Sequence, residues 1–162
     1  MAQKEKIEII LTTDQEKIKV CAMMMAKTDP WITLEMDFNK CLKAFEGQCK
    51  EIYVVETENE ILGFVILQVC GSFSGYIQTI CIGYDHRGKG YGKKLLQFCE
   101  ERILKISPNI FICVSSFNKG AFRLYKEFGF EVIGELNNFV KKGFTELLMR
   151  KSFGPREGFV SR

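Results

Sequence analysis

Ile7, Ile9 and Leu11 alternate with polar neighbours, the period of a strand with one covered face. Asp14 stands where a helix N-cap belongs, and the apolar spacing after it predicts a helix to about residue 25, ending before Asp29 and Pro30. Phe38, Cys41, Leu42 and Phe45 repeat at helical spacing up to Gly47, so a second helix follows Trp31, with residues 31–34 connecting the two. Residues 52–55 and 61–70 read as hairpin strands around Glu58 and Asn59, and residues 71–75 turn the chain into a strand over 76–82.

Leu95, Cys99, Ile103 and Ile106 share one face of the next helix, which Ser107 and Pro108 stop. Residues 110–114 form a wholly apolar run rich in β-branched side chains, as expected of a central strand parallel to its neighbour across the helix. Asn118 caps a short helix that Gly129 ends. Residues 130–136 and 145–150 read as a closing strand pair, and 152–162 as a loose tail. The order is β, α, α, β, β, β, α, β, α, β, β, a mixed α/β fold. With no internal repeat or dividing linker, residues 1–151 read as one domain.

Between the strand over 76–82 and the helix that follows it lies the run Arg87, Gly88, Lys89, Gly90, Tyr91, Gly92, Lys93. Backbone N–H groups at a helix start have no partner within the helix, and the macrodipole adds positive potential there. Glycines let an anion approach those groups, and Arg87, Lys89 and Lys93 add charge, so the loop is suited to a pyrophosphate. Two commoner phosphate loops fail at named positions. The Walker spacing from Gly83 to Lys89 ends in Gly90 where Ser or Thr must ligate magnesium, and the dinucleotide fingerprint finds Lys93 in place of its third glycine.

The remaining pattern, Arg, two residues, Gly, one residue, Gly after a strand, resembles motif A of the GNAT-type N-acetyltransferase superfamily. Ile77, Ile80 and Ile82 sit at the family's apolar strand-four positions, and Asn118, Ala121, Leu124, Tyr125, Gly129 and Phe130 resemble its second signature. The resemblance implies an acetyltransferase fold: a mostly antiparallel sheet of about seven strands, splayed between the fourth and fifth, with about four helices. It further implies acetyl-CoA as co-substrate, held by the 87–93 loop, by free N–H groups at Ile80, Cys81 and Ile82, and by Asn118. Tyr125 is the implied general acid for the departing thiolate.

A protonated alkyl amine must lose a proton before it attacks a thioester. Relatives place a carboxylate in strand four or strand five, where this chain has Tyr76 or Gln78 and Cys113. Glu35, beside the inter-helix connection, is the remaining candidate, either as base or as a partner for the amine, against the plainer reading of a solvated surface Glu. His86 reads as an exposed loop residue. Trp31 either lines the acceptor pocket or anchors packing.

Composition narrows the setting. The 162 residues suffice for one core, and 46% hydrophobic with 27% charged residues excludes disordered and membrane classes. A net charge of +3, with basic residues dispersed apart from Lys89, Lys93 and Lys94, argues against broad nucleic-acid binding. No apolar run reaches the roughly 18 residues of a membrane span. The seven cysteines contain no Cys-x-x-Cys pair and lie mostly in apolar runs, so they read as reduced, buried thiols, with no metal site and a cytoplasmic location. The expected partner is an amine of a small molecule or peptide, with pairing of two copies through edge strands or the last hairpin as a family analogy. An acyl-CoA-binding module without turnover is the alternative.

Overall fold

The expected first cap is formed: Asp14 Oδ1 accepts hydrogen bonds from the backbone N–H groups of Glu16 at 2.8 Å and Lys17 at 3.3 Å. The computed structural model describes residues 6–162, and residues 1–5 of the expected domain lie outside the described residues. Its elements are β1 (Glu8–Leu11), α1 (Gln15–Ala26), α2 (Phe38–Lys43), β2 (Lys50–Glu56), β3 (Ile61–Gln68), β4 (Tyr76–Ile82), a 3-10 turn (Tyr84–His86), α3 (Tyr91–Ile103), β5 (Asn109–Ser115), α4 (Lys119–Phe128), β6 (Glu131–Asn137) and β7 (Thr145–Ser152). The order of types is the one the sequence predicts. Residues 29–36 are a series of turns, closed by Asp29 Oδ1 accepting from the Thr33 hydroxyl at 2.7 Å, so α2 begins only at its own cap, Asp37.

One seven-stranded sheet runs in the order β1-β2-β3-β4-β5-β7-β6, antiparallel except for β4 beside β5. Alternating side chains feed two cores. Val65, Leu67, Ile77, Leu95, Cys99, Ile103 and Ile112 pack under α3, and Cys21, Met25, Cys41, Phe64, Ile66 and Cys81 pack under α1 and α2.

The β3–β4 register slips once: Ile66 faces Thr79 while Leu67 faces Ile77, leaving Gln78 as the extra residue of a bulge. Three residues apart, Ile77 and Ile80 thereby pack on the same core, where an unbroken strand would send them to opposite faces. Pairing between β4 and β5 is confined to Tyr76 with Phe111 and Ile77 with Ile112. From the bulge onward the two parallel strands separate.

Two expectations are corrected. The cysteines are not all free thiols: Cys49 and Cys70 are joined in a disulfide, their Cα atoms 5.6 Å apart, while five cysteines remain free. Cys49 precedes β2 and Cys70 follows β3, and the pairing of Lys50 with Gln68 brings these flanking residues together, a proximity that linear spacing does not reveal. That pair therefore gives no indication of a reducing compartment. Nor is the tail loose, because Phe153 N donates to Pro108 O at 2.8 Å and Arg162 N to Leu104 O at 3.3 Å, fastening it over the α3–β5 turn.

Candidate active site

Where β4 and β5 separate, a cavity of about 730 Å³ opens through the sheet. At one end stands the start of α3. Gly88 and Gly90 adopt φ of 73° and 83°, and no atom lies within 4 Å of where a side chain on either would begin, so both positions are open to a ligand. Gly90 is the N-cap and offers no side-chain cap, and the first intrahelical donor is Lys94 N, to Gly90 O at 3.1 Å. The N–H groups at the head of the helix are therefore open to an anion. Arg87 and Lys93 line this end beside Gly88, Gly90, Tyr91 and Gly92, whereas Lys89 does not line the cavity. Arg87 Nε donates to Ile82 O at 3.3 Å, which holds the side chain against the strand.

Ile80, Cys81 and Ile82 line the cavity along β4, on the stretch with no partner in β5. Across the opening, α4 contributes Asn118, Ala121, Leu124 and Tyr125. Asn118 is the cap of that helix, its Oδ1 accepting from Ala121 N at 3.3 Å, and Gly129 closes it with φ 104°. Tyr125 is buried against Phe130, ring centroids 6.1 Å apart, and its hydroxyl forms no hydrogen bond within the described residues. Burial raises its pKa, so the phenol keeps its proton and serves as a donor.

Two expectations about titrating groups change, and one group is new. Glu35 does not line the cavity: its Oε1 lies 2.8 Å from Lys141 Nζ at the surface, and that hydrogen bond and charge hold its carboxyl below the usual range. His86 is not an exposed loop residue. Its side chain is 17% exposed, lines the cavity, and places Nε2 3.3 Å from Glu60 Oε2, because the 3-10 turn folds it back over the strand ends. A buried carboxylate that does line the cavity was not singled out from sequence: Glu146 of β7, 5% exposed, accepts a hydrogen bond from Ser115 Oγ at 2.6 Å. Burial pushes its pKa up, and Ser115 partly offsets this. The signal available was strand alternation in Thr145–Ser152, where Leu147 and Met149 face the α3 core and Glu146 must face the other way.

Burial also raises the free thiols of Cys21 and Cys81 to about 12 and that of Cys113 above its ordinary value, so none is poised as a nucleophile. On the α1 side the cavity is walled by Trp31, Leu34 and Met36, and by Phe139 and Val140 from the β6–β7 turn.

Residues 17–130 match the acetyltransferase (GNAT) family. The chain belongs to that family. A curated N-alpha-acetyltransferase of Sulfurisphaera tokodaii is 23% identical over 152 residues, covering 86% of this chain and 87% of that protein. Among solved structures, a protein assigned to the GNAT family from Desulfovibrio desulfuricans superposes with a TM-score of 0.75 at 14% identity, covering 92% of this chain and all of that one. The ribosomal-protein-S18-alanine N-acetyltransferase of Escherichia coli superposes at 0.70 and 15%, covering 93% and 96%. The seven-stranded sheet with its separated β4 and β5 is thus the GNAT fold, and the family uses acetyl-CoA.

Proposed function

We propose that the protein transfers an acetyl group from acetyl-CoA directly to a primary amine of a small molecule, peptide or protein. One observation carries this reading: a single opening between β4 and β5 runs from the uncapped start of α3 to the Tyr125 phenol. The glycine loop at 88–92, with Arg87 and Lys93, holds the diphosphate. The unpaired edge of β4 over Ile80, Cys81 and Ile82 takes the pantetheine arm and polarises the thioester carbonyl, and Asn118 borders the same arm. When bound, acetyl-CoA supplies the activated acyl group. Tyr125 donates a hydrogen bond to the departing sulfur, where water is excluded and a donor is worth most.

Release of free thiol from acetyl-CoA with a panel of monoamines, polyamines, amino acids and free-N-terminus peptides tests the proposal. Thiol release with at least one acceptor is expected. Silence across the panel, with thermal stabilisation by acetyl-CoA intact, favours the binding module without turnover. Stabilisation by magnesium-ATP and none by coenzyme A rejects both.

A further inference from the structure

Among the described residues, two carboxylates line the cavity, Asp29 and Glu146. Asp29 is exposed, and its Oδ1 is occupied by the backbone and hydroxyl of Thr33. Glu146 is buried, and only one of its oxygens is held by the protein, through Ser115. No buried side-chain polar atom lacks a partner among the described residues, so the second oxygen, which has none, must open onto the cavity. A buried carboxylate without a cation is costly, and its environment includes no Lys or Arg. Such a site is completed by an arriving ammonium.

Its place in the sheet fits the reaction. Ser115 and Glu146 are register partners, and Cys113 pairs with Leu148, so Cys113, Ser115 and Glu146 share the sheet face opposite the α3 core. Tyr125 packs on the α3 side. The separation of β4 from β5 is the passage between them, and both side chains line the one cavity. An acceptor entering between Trp31 and Val140 meets Glu146 on its own side of the sheet and the thioester at the opening.

We propose that Glu146, held by Ser115, anchors the acceptor's ammonium group and takes its proton, and that the acceptor is a monocationic primary amine with an apolar group beside the nitrogen. This rests on the acetyltransferase reading above. The ammonium gives one proton to Glu146, becoming a neutral amine. Its lone pair forms the C–N bond to the thioester carbon, and the C–S bond breaks with its electron pair going to sulfur. The nitrogen's second surplus proton balances the thiolate, by way of Tyr125, and Glu146 returns its proton to solvent. The acceptor class follows from the walls, because Trp31, Leu34, Met36, Phe139 and Val140 offer apolar surface and Glu146 is the one buried carboxylate among the lining residues. A polyamine's further cations would find only Asp29, which is exposed and already engaged by Thr33, and otherwise apolar wall.

The groups facing Glu146 are Ser115 and Cys113 of β5 and Tyr76 of β4, and both Cys113 and Tyr76 have raised pKa values and stay neutral near pH 7. The other carboxylate and the imidazole that line the cavity, Asp29 and His86, stand apart from this set, and we assign the acid limb of the wild-type profile to Glu146, an assignment that Glu146→Gln tests.

The test uses leucine amide and spermidine as acceptors, with kcat/KM measured against pH for wild type, Glu146→Gln and Ser115→Ala. The amine's effect on the thermal stability of the coenzyme A complex is measured alongside. Wild type should prefer leucine amide, lose activity as Glu146 is protonated, and fall again above the pKa of the amine. Glu146→Gln should lose on the order of 10²-fold or more near neutral pH, retain stabilisation by coenzyme A, and show a rate that climbs through the amine's pKa with no limb set by a carboxylate. Ser115→Ala removes a donor to the carboxylate, so its acid limb should move to higher pH. An unchanged profile in Glu146→Gln, equal stabilisation of variant and wild type by leucine amide, or preference for spermidine overturns the inference while leaving acetyl transfer intact. A wild type that neither turns over nor is stabilised by any amine overturns both.

Discussion

Gln78, the bulged residue of β4, donates from Nε2 to the carbonyl of Ala44 at the end of α2, 2.9 Å away. Lys50 Nζ donates to the same oxygen at 2.8 Å. The residue that redirects β4 away from β5 is thus tied to the helix whose preceding turns wall the acceptor side of the cavity.

Gln78→Ala removes that tie and keeps the bulge, which the register of the flanking pairs enforces. A hydrogen bond of this type contributes about 1 kcal/mol, so thermal unfolding should shift down by a few degrees. The larger effect should fall on KM for the amine, with affinity for acetyl-CoA unchanged. Equal losses for both ligands would show that Gln78 supports the cleft as a whole.

Tyr125→Phe keeps the ring that packs on Phe130 and removes only the hydroxyl, which has no protein hydrogen bond and, like the free oxygen of Glu146, reaches the cavity. Stability should hold or rise slightly. Under single-turnover conditions, the rate constant of acetyl transfer should fall on the order of 10²-fold, the lower range for loss of one positioned proton donor. Retention of full activity would remove Tyr125 from the mechanism.

These two residues mark what linear pattern conveys. Tyr125 lies inside a contiguous motif, its helix bounded by a capping Asn118 and a closing Gly129, so short-range spacing was sufficient to place it. The loop at 87–93 was legible for the same reason, since the groups proposed to hold the diphosphate are local, although Lys89 among them does not line the cavity. Glu146 was not, because its meaning depends on β7 inserting between β5 and β6 and on Ser115 standing opposite it, both long-range facts. Cys49 with Cys70, and Glu35 with Lys141, were hidden likewise: each pair is joined by strand register or by loops that meet only in the fold. Sequence pattern placed the strand and helix types, the splay between the fourth and fifth strands came only with the family resemblance, and the exchange of order between the last two strands came only with the structure.

Gly90→Ala tests the anion loop. The position has φ of 83°, and open space surrounds the point where a Cβ would stand, so the cost is backbone strain and not collision. Holding an L residue left-handed costs roughly 1–2 kcal/mol, and relief by refolding of the loop would turn the N–H groups away from the diphosphate. The dissociation constant for coenzyme A should rise about 5- to 30-fold by calorimetry. Dephosphorylated pantetheine should bind the variant and wild type equally.

Thiol titration in denaturant should count five free thiols before reduction and seven after it. Joining residues separated by 21 positions restricts the unfolded chain, a stabilisation of about 3 kcal/mol in the loop-entropy treatment. Cys49→Ser with Cys70→Ser should therefore lower the unfolding midpoint, and reductant should do so in wild type but not in the double variant. Because the bond closes the end of the β2–β3 hairpin and neither cysteine lines the cavity, kcat should stay at the wild-type value at temperatures where the variant is folded.

Glu35→Ala separates a base from a clasp. Glu35 belongs to the turns that carry Trp31 and Leu34, and Lys141 to the turn that carries Phe139 and Val140, so their ion pair bridges the two walls of the acceptor entrance. The carboxyl is held below its usual range by Lys141, so it is ionised throughout a neutral or alkaline assay and has no titration to contribute there. Glu35 is exposed and Lys141 half-buried, so the pair is partly screened by salt. Replacement should raise the amine KM a few-fold at low ionic strength, and the difference from wild type should shrink as salt is added. The acid limb of kcat/KM should keep its midpoint, since the carboxylate that sets it is Glu146. A lost or displaced acid limb in Glu35→Ala would instead return the proton-acceptor role to Glu35 and require the walls to close further over the cavity than they do here.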